Sequence, residues 1–175
     1  MKKIVLIVGA SGVGKDTLIK YAKHELKDDA NFNFVTRYIT RQPDDNELNF
    51  YLEKKAFDTL VQQKYFTSHW TAHENYYGIP KVQIQEKINI ISISRSAIKD
   101  FESQFKNVLV INISIPKEEL YARLKSRDRE NEEEIQIRLE RSYPLIEGKQ
   151  VVHFDNSDEL LKSQAMFLEL LRSQK

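Results

Sequence analysis

The sequence predicts a three-layer α/β fold: a five-stranded parallel sheet with helices on both faces, a small inserted subdomain and a helical lid. Three observations predict it. Short β-branched runs alternate with helical patterns, the runs are apolar nearly throughout, and a polar, aromatic stretch over 36–87 interrupts the rhythm. At 175 residues the chain suits one domain, 1–175, with the inserted subdomain at about 36–87 and the lid at about 125–137.

The first run, KIVLIVG, reads as a buried strand leading into a glycine loop. DTLIKYAKHEL follows as a helix with Leu18, Ala22 and Leu26 on one face, and FNFVTRYIT as the second strand. Within the interruption, RQPDDNEL is a loop, KKAFDTLVQQKYF a short helix packing Phe57, Leu60 and Val61, and TSHWTAHENYYGI a strand pair turning near Glu74 and Asn75. The rhythm resumes with strand NIISISR, helix AIKDFESQF and strand NVLVINIS. A helix runs from Pro116, well placed in a first turn, through Arg127; another covers EEEIQIRLERS, with Gly148 following its end. QVVHFDN is the fifth strand and SDELLKSQAMFLELLRS the last helix.

Charge is balanced, 27 basic against 26 acidic residues, so no overall field draws the chain to nucleic acid or an anionic membrane. The arginines are unevenly placed: Arg123, Arg127, Arg129, Arg138 and Arg141 share one stretch, Arg37 and Arg41 another, and Arg95 follows a strand. Guanidinium forks match phosphate oxygens, although such stretches also serve helix-surface ion pairing. Absence of cysteine excludes disulfides, thiolate metal sites and cysteine nucleophiles, and suits a reducing cytoplasm. The opening MKKIVLIVGAS imitates a signal peptide, but its apolar run is short and cleavage there would destroy the glycine loop. No run reaches membrane-spanning length.

Gly9-Ala10-Ser11-Gly12-Val13-Gly14-Lys15 has the G-x-x-x-x-G-K spacing between a strand and a helix. Such a loop turns backbone N–H groups toward phosphate oxygens, adds the positive end of a helix, and carries a mobile ammonium on Lys15. Asp16 stands where serine or threonine is usual. A carboxylate beside a triphosphate is repelled unless a cation intervenes, and the neighbouring run NIISISRS ends in Ser92 and Ser94 without an acid. Asp16 is therefore expected to serve Mg²⁺, through water, with Thr17 as a hydroxyl helper; the plainer reading has Asp16 favour the helix N-terminus.

The phosphate loop, TR after the second strand, YYG closing the insertion and RLKSRDRENEEEIQIRL near the end together resemble the guanylate kinase superfamily over essentially the whole chain. Within it GKDTL, YITRQP, WTAHENYYG, SRS and SRDRENEEEIQIRL are most similar to the ribose 1,5-bisphosphate phosphokinase branch. The resemblance implies a P-loop kinase using ATP and Mg²⁺, with ribose 1,5-bisphosphate as acceptor and 5-phosphoribosyl 1-diphosphate as product. Guanine needs acceptors for a ring N–H and an amino group, and carboxylates are the natural ones. At the two places where guanylate kinases carry those acids this chain has Ser68 and Ser94, and Asp44 stands where they carry a second arginine.

On that reading Lys15, Arg123, Arg127 and Arg138 stabilise the transferring phosphoryl group, and DRENEEE closes over it as a water-excluding lid. Arg37, Arg41, Tyr76, Tyr77, Ser94 and Arg95 are expected to hold the sugar bisphosphate, with Trp70, His69 and His73 beside them. A His-x-x-x-His zinc pair is disfavoured because the segment reads as strand. Asn156 falls in the adenine-contacting loop of the superfamily or caps the last helix. The alternatives are a guanylate kinase and, further off, a non-catalytic guanylate-kinase-like module that binds a protein partner. Small-molecule partners are expected, not nucleic acid or membrane, and a homodimer is compatible.

Overall fold

The computed structural model describes residues 2–42, 49–72, 74–126, 131–143 and 145–175, the side chain of Arg141 excepted. Asp44, His73, Arg127 and Arg129 lie outside the described residues. The elements run β1 (Lys3–Val8), α1 (Lys15–Glu25), β2 (Phe32–Phe34), β3 (Tyr38–Ile39), β4 (Phe50–Tyr51), α2 (Lys54–Gln62), β5 (Phe66–Ala72) and β6 (Asn75–Pro80). They continue with β7 (Ile88–Ser92), α3 (Ile98–Gln104), β8 (Val108–Ser114), α4 (Lys117–Lys125), α5 (Glu132–Ser142), β9 (Val151–Asp155) and α6 (Leu160–Arg172).

The predicted parallel sheet is present, five strands in the order β2-β7-β1-β8-β9. β1 lies at its centre and Ile4 through Val8 are buried without exception, which explains why this run is apolar throughout instead of alternating. One face packs Val5, Ile7, Leu109 and Ile111 against α1, α4 and α6; the other packs Ile4, Leu6, Ile91 and Val110 against α3. The Leu18, Ala22, Leu26 stripe of α1 is buried on the first of these faces as its spacing predicts.

One expectation needs correction. FNFVTRYIT is two strands, not one: β2 ends at Phe34, and after Val35–Arg37 the chain enters β3, in a separate sheet ordered β4-β3-β6-β5. Periodicity could not show the break, because the crossing residues are apolar or β-branched enough to continue either strand. The helix from Pro116 also stops sooner, at Lys125, and Gly148 stands well beyond the end of α5 at Ser142.

The small sheet has a face of its own to bury. Phe57 of α2, 1% exposed, stacks on Phe66 at 4.9 Å, with Tyr38 and Tyr76 also on this outer side. The opposite face turns Trp70, Tyr77 and Ile79 toward the main sheet. Chain crosses between the sheets twice, through Val35–Arg37 and through the segment from Lys81 to Lys87. The crossings are bonded together: Thr36 N–H donates to Gln83 Oε1 at 2.7 Å, and Asn33 Nδ2 to the Gln83 carbonyl at 2.7 Å. Fully buried Asn89 completes the joint, accepting from Asn33 at 2.8 Å and donating to the Gln85 and Lys87 carbonyls.

Candidate active site

β1 delivers its chain to the carboxyl edge of the sheet, where the loop from Gly9 to Gly14 turns it into α1. Two glycines are required there. A Cβ at Gly9 would collide with the Ile113 carbonyl, and Gly14, at φ +91°, would place one 2.5 Å from Asn156 Nδ2. Val13 is buried, pinning the loop from beneath, while Ser11 is exposed. The N–H groups of the first turn of α1, Lys15, Asp16 and Thr17, have no partner within their own helix and add its positive end to the loop. Lys15 Nζ donates to the Ala10 carbonyl at 2.8 Å, which holds the ammonium over the same loop.

Two predicted arginines meet this loop. Arg138, carried by α5, reaches Ser11 Oγ at 3.4 Å. Arg123, on α4, bonds Glu119 and donates to the Asn156 carbonyl at 3.2 Å, close beside Gly14. α5 is fixed at both ends. Asn131 and Glu134 form a capping box at its start, a signal the residues Asn-x-x-Glu carried and the sequence reading missed. At its end the Ser142 carbonyl accepts from Arg95 Nη2 at 2.8 Å, and the Tyr143 hydroxyl donates to the Ile115 carbonyl at 2.9 Å. Arg95 is thus engaged with α5, and burial lowers its guanidinium from the ordinary value. Arg127 lies outside the described residues.

Asn156 is buried, and its amide donates to the Val13 carbonyl at 2.7 Å. α6 begins at Leu160 with Glu159 as its cap, so Asn156 is not that helix's cap; it braces the phosphate loop.

Beside the loop a shallow, open cleft lies between α1, the end of β2 and the end of β7. Asp16, Lys20, Lys23, Arg37, Asn49 and Ser92 line it over a floor that includes Phe34 and Ile90. Arg37 Nε donates to Asn49 Oδ1 at 2.8 Å, and its guanidinium carbon sits 5.4 Å from the Tyr77 ring. Tyr77 in turn stacks on Trp70 at 5.6 Å with planes 3° apart. Tyr76 faces the other way, against Phe57 and Lys54, as strand alternation demands of adjacent residues. His69 likewise alternates away from Trp70 and is exposed. Arg41, two residues beyond β3, is partly buried, and Ser94 accepts a hydrogen bond from Ser96 Oγ at 3.1 Å; neither is among the residues lining the cleft. Ser68 Oγ donates to Asp100 Oδ2 at 2.6 Å, so a carboxylate from α3 stands behind the serine.

Ser92 deserves its place among the site residues. Its Oγ is buried and has no hydrogen-bond partner among the described residues, facing the same cleft as Asp16. Among the described residues no group of three or more histidines, cysteines or acids could cage a metal. The donor set, one exposed carboxylate on Asp16 and one exposed hydroxyl on Thr17, suits Mg²⁺ held chiefly by substrate phosphates and water.

This geometry, a glycine loop at a helix start with arginines converging on it from two further helices, defines a phosphate-handling fold, and the family is shown directly. The model for guanylate kinase matches residues 1–169, and the chain belongs to the guanylate kinase family. Relatives place it more narrowly, with the ribose 1,5-bisphosphate phosphokinases PhnN. That of Brucella melitensis is 38% identical over 95% of this chain and 90% of its own length; that of Agrobacterium fabrum is 34% identical over 97% and 96%. Among solved structures, guanylate kinase from Anaplasma phagocytophilum superposes with a TM-score of 0.64 at 17% identity, covering 99% of this chain and 85% of its own. A gluconokinase from Sinorhizobium meliloti gives 0.54 at 14% identity, with 99% and 93% covered. At those identities the structures show the fold.

Proposed function

We propose that this chain transfers the terminal phosphoryl group of ATP to the 1-phosphate of ribose 1,5-bisphosphate, giving 5-phosphoribosyl 1-diphosphate and ADP. An oxygen of the 1-phosphate forms the new bond to the γ-phosphorus as the bond to the bridging β,γ-oxygen breaks, and ADP leaves with that oxygen. The acceptor phosphate has a second pKa of about 6, so it is mostly dianionic at neutral pH and no general base is required. What the protein supplies is position and fixed charge. The loop from Gly9 to Gly14 and the start of α1 hold the donor phosphates; Lys15, Arg123, Arg127 and Arg138 offset charge on the transferring group. On the acceptor side Arg37 lines the cleft against the Tyr77 ring; Arg41 and Ser94 are proposed to join it from beyond the lining, Arg95 acts through its bond to the Ser142 carbonyl, and Tyr76 faces the outer side against Phe57. Mg²⁺, when bound, neutralises phosphate charge, and Asp16 with Thr17 are the residues that would hold it.

The carrying observation is the acceptor side. Where a guanine reader would present two carboxylates there are Ser68 and Ser94, and Arg37 brings a cation into the cleft. Asp100, in contact with Ser68, gives the second reading its one support: it could accept from a guanine N–H, as in a guanylate kinase. An assay with ATP, Mg²⁺ and either ribose 1,5-bisphosphate or GMP, with products identified by mass, decides the matter. Transfer to the pentose with GMP untouched is expected; rapid GMP turnover alone would reverse the assignment. Asp16→Asn should raise the Mg²⁺ concentration needed for half-maximal rate, and an unchanged titration removes Asp16 from that role. Reliance on ATP and a chain without cysteine suit a reducing cytoplasm, and no described helix is long and apolar enough to cross a membrane.

A further inference from the structure

The described lining of the cleft beside the phosphate loop contains three cations. Among the described residues Lys20, Lys23 and Arg37 line it against one acid, Asp16, and none of the three cations is paired with a carboxylate. Asp16, Ile19, Lys20 and Lys23 are spaced to share one face of α1. From Asp16 the helix carries Lys20 about 6 Å and Lys23 about 10 Å away from the loop. The charge is therefore ordered: the acid near the transfer point, the lysines progressively farther from it. Arg37 closes the opposite wall, held by Asn49 and by the Tyr77 ring, and among the described residues its two terminal nitrogens have no hydrogen-bond partner.

We infer that Lys20 and Lys23, with Arg37, form a subsite for the distal phosphate of the acceptor, the one that does not react. The inference rests on the proposed function and extends it to how a sugar carrying no base is aligned. Three mobile or forked cations at the far end would hold a dianion and set the reacting phosphate toward the loop. A nucleoside monophosphate has no second anion to place there and so gains nothing from these cations. The subsite thus selects for an acceptor with phosphate at both ends.

The test uses the double variant Lys20→Ala/Lys23→Ala, with Lys20→Arg/Lys23→Arg as the charge-preserving partner. Two readouts are taken: steady-state kinetics with ribose 1,5-bisphosphate and ATP, and calorimetric binding of ribose 5-phosphate, which carries the distal phosphate alone. The alanine pair should raise KM for the bisphosphate and Kd for ribose 5-phosphate by about ten- to a hundredfold, with KM for ATP unchanged and the arginine pair close to wild type. Unchanged Kd for ribose 5-phosphate in the alanine pair, or no binding of it by wild type, overturns the inference. A wild type that binds ribose 5-phosphate through these lysines yet does not turn over the bisphosphate supports the subsite and sinks the proposed reaction.

Discussion

The donor and acceptor sides of this molecule are built on different plans. At the phosphate loop, the proposed binding groups are backbone N–H groups and one lysine within a single stretch of sequence, braced from outside by Asn156 on the Val13 carbonyl. At the acceptor cleft the groups come from α1, the β2–β3 crossing, the region before β4 and the end of β7, and only folding brings them together. A local site tolerates change elsewhere as long as its strand and helix hold. A dispersed one depends on the joint between two sheets.

That contrast can be broken most severely at Phe57. Phe57→Ala removes the filling of the small sheet's outer side and should cost about 3–5 kcal/mol locally. Hydrogen exchange should then quicken in β3, β5 and β6 while β1 and β8 stay protected; equal loss in both sheets would show one cooperative unit. Next in size, Lys15→Ala should lower kcat by about a hundred- to a thousandfold with little change in melting temperature, because a charge meant for the transferring group is lost. A fall in stability of comparable size would mean the ammonium chiefly holds the Ala10 carbonyl. Asn156→Ala sharpens the picture more gently. It leaves the Val13 carbonyl buried without its donor, costing about 1–3 kcal/mol, and should raise KM for ATP about tenfold while KM for the acceptor stays put.

The smallest effect belongs to a position outside both sites. Asp29 accepts from Lys175 and from the Asn31 side chain and backbone, which lower its pKa from 3.8 to about 2. Its folded value lies below the unfolded one, so the stabilisation is complete above about pH 4 and fades as pH falls toward 2. Melting curves of Asp29→Asn and wild type should differ slightly at neutral pH and converge near pH 2. Divergence at low pH would contradict the sign.

The same contrast explains what could be read from the residues in order. Glycine spacing, Lys15 and the apolar run of β1 place the phosphate loop because each link is local. The inner strands β7, β1 and β8 were legible from burial on both faces, which makes their runs apolar, whereas the edge strands β2 and β9 are only partly buried. Lys20 and Lys23 gave no signal, since a lysine on a helix reads as a solvated surface until another strand is seen to face it. Pairing Tyr76 with Tyr77 as ligands overlooked strand alternation, which sends them to opposite faces. Arg95 was legible as an arginine beyond a strand, but its bond to the Ser142 carbonyl joins residues 47 positions apart.

Gln83 has a mechanical consequence. Because its side chain and carbonyl bind the other crossing at Thr36 and Asn33, the small sheet hangs from a doubled tether, not from two independent threads. Ser68 on Asp100, Gln104 on the Thr67 carbonyl and Ile79 in the core beside α3 tie down the far strands too, so Arg37 leaves a joint clamped from both sides and inherits its position from the scaffold.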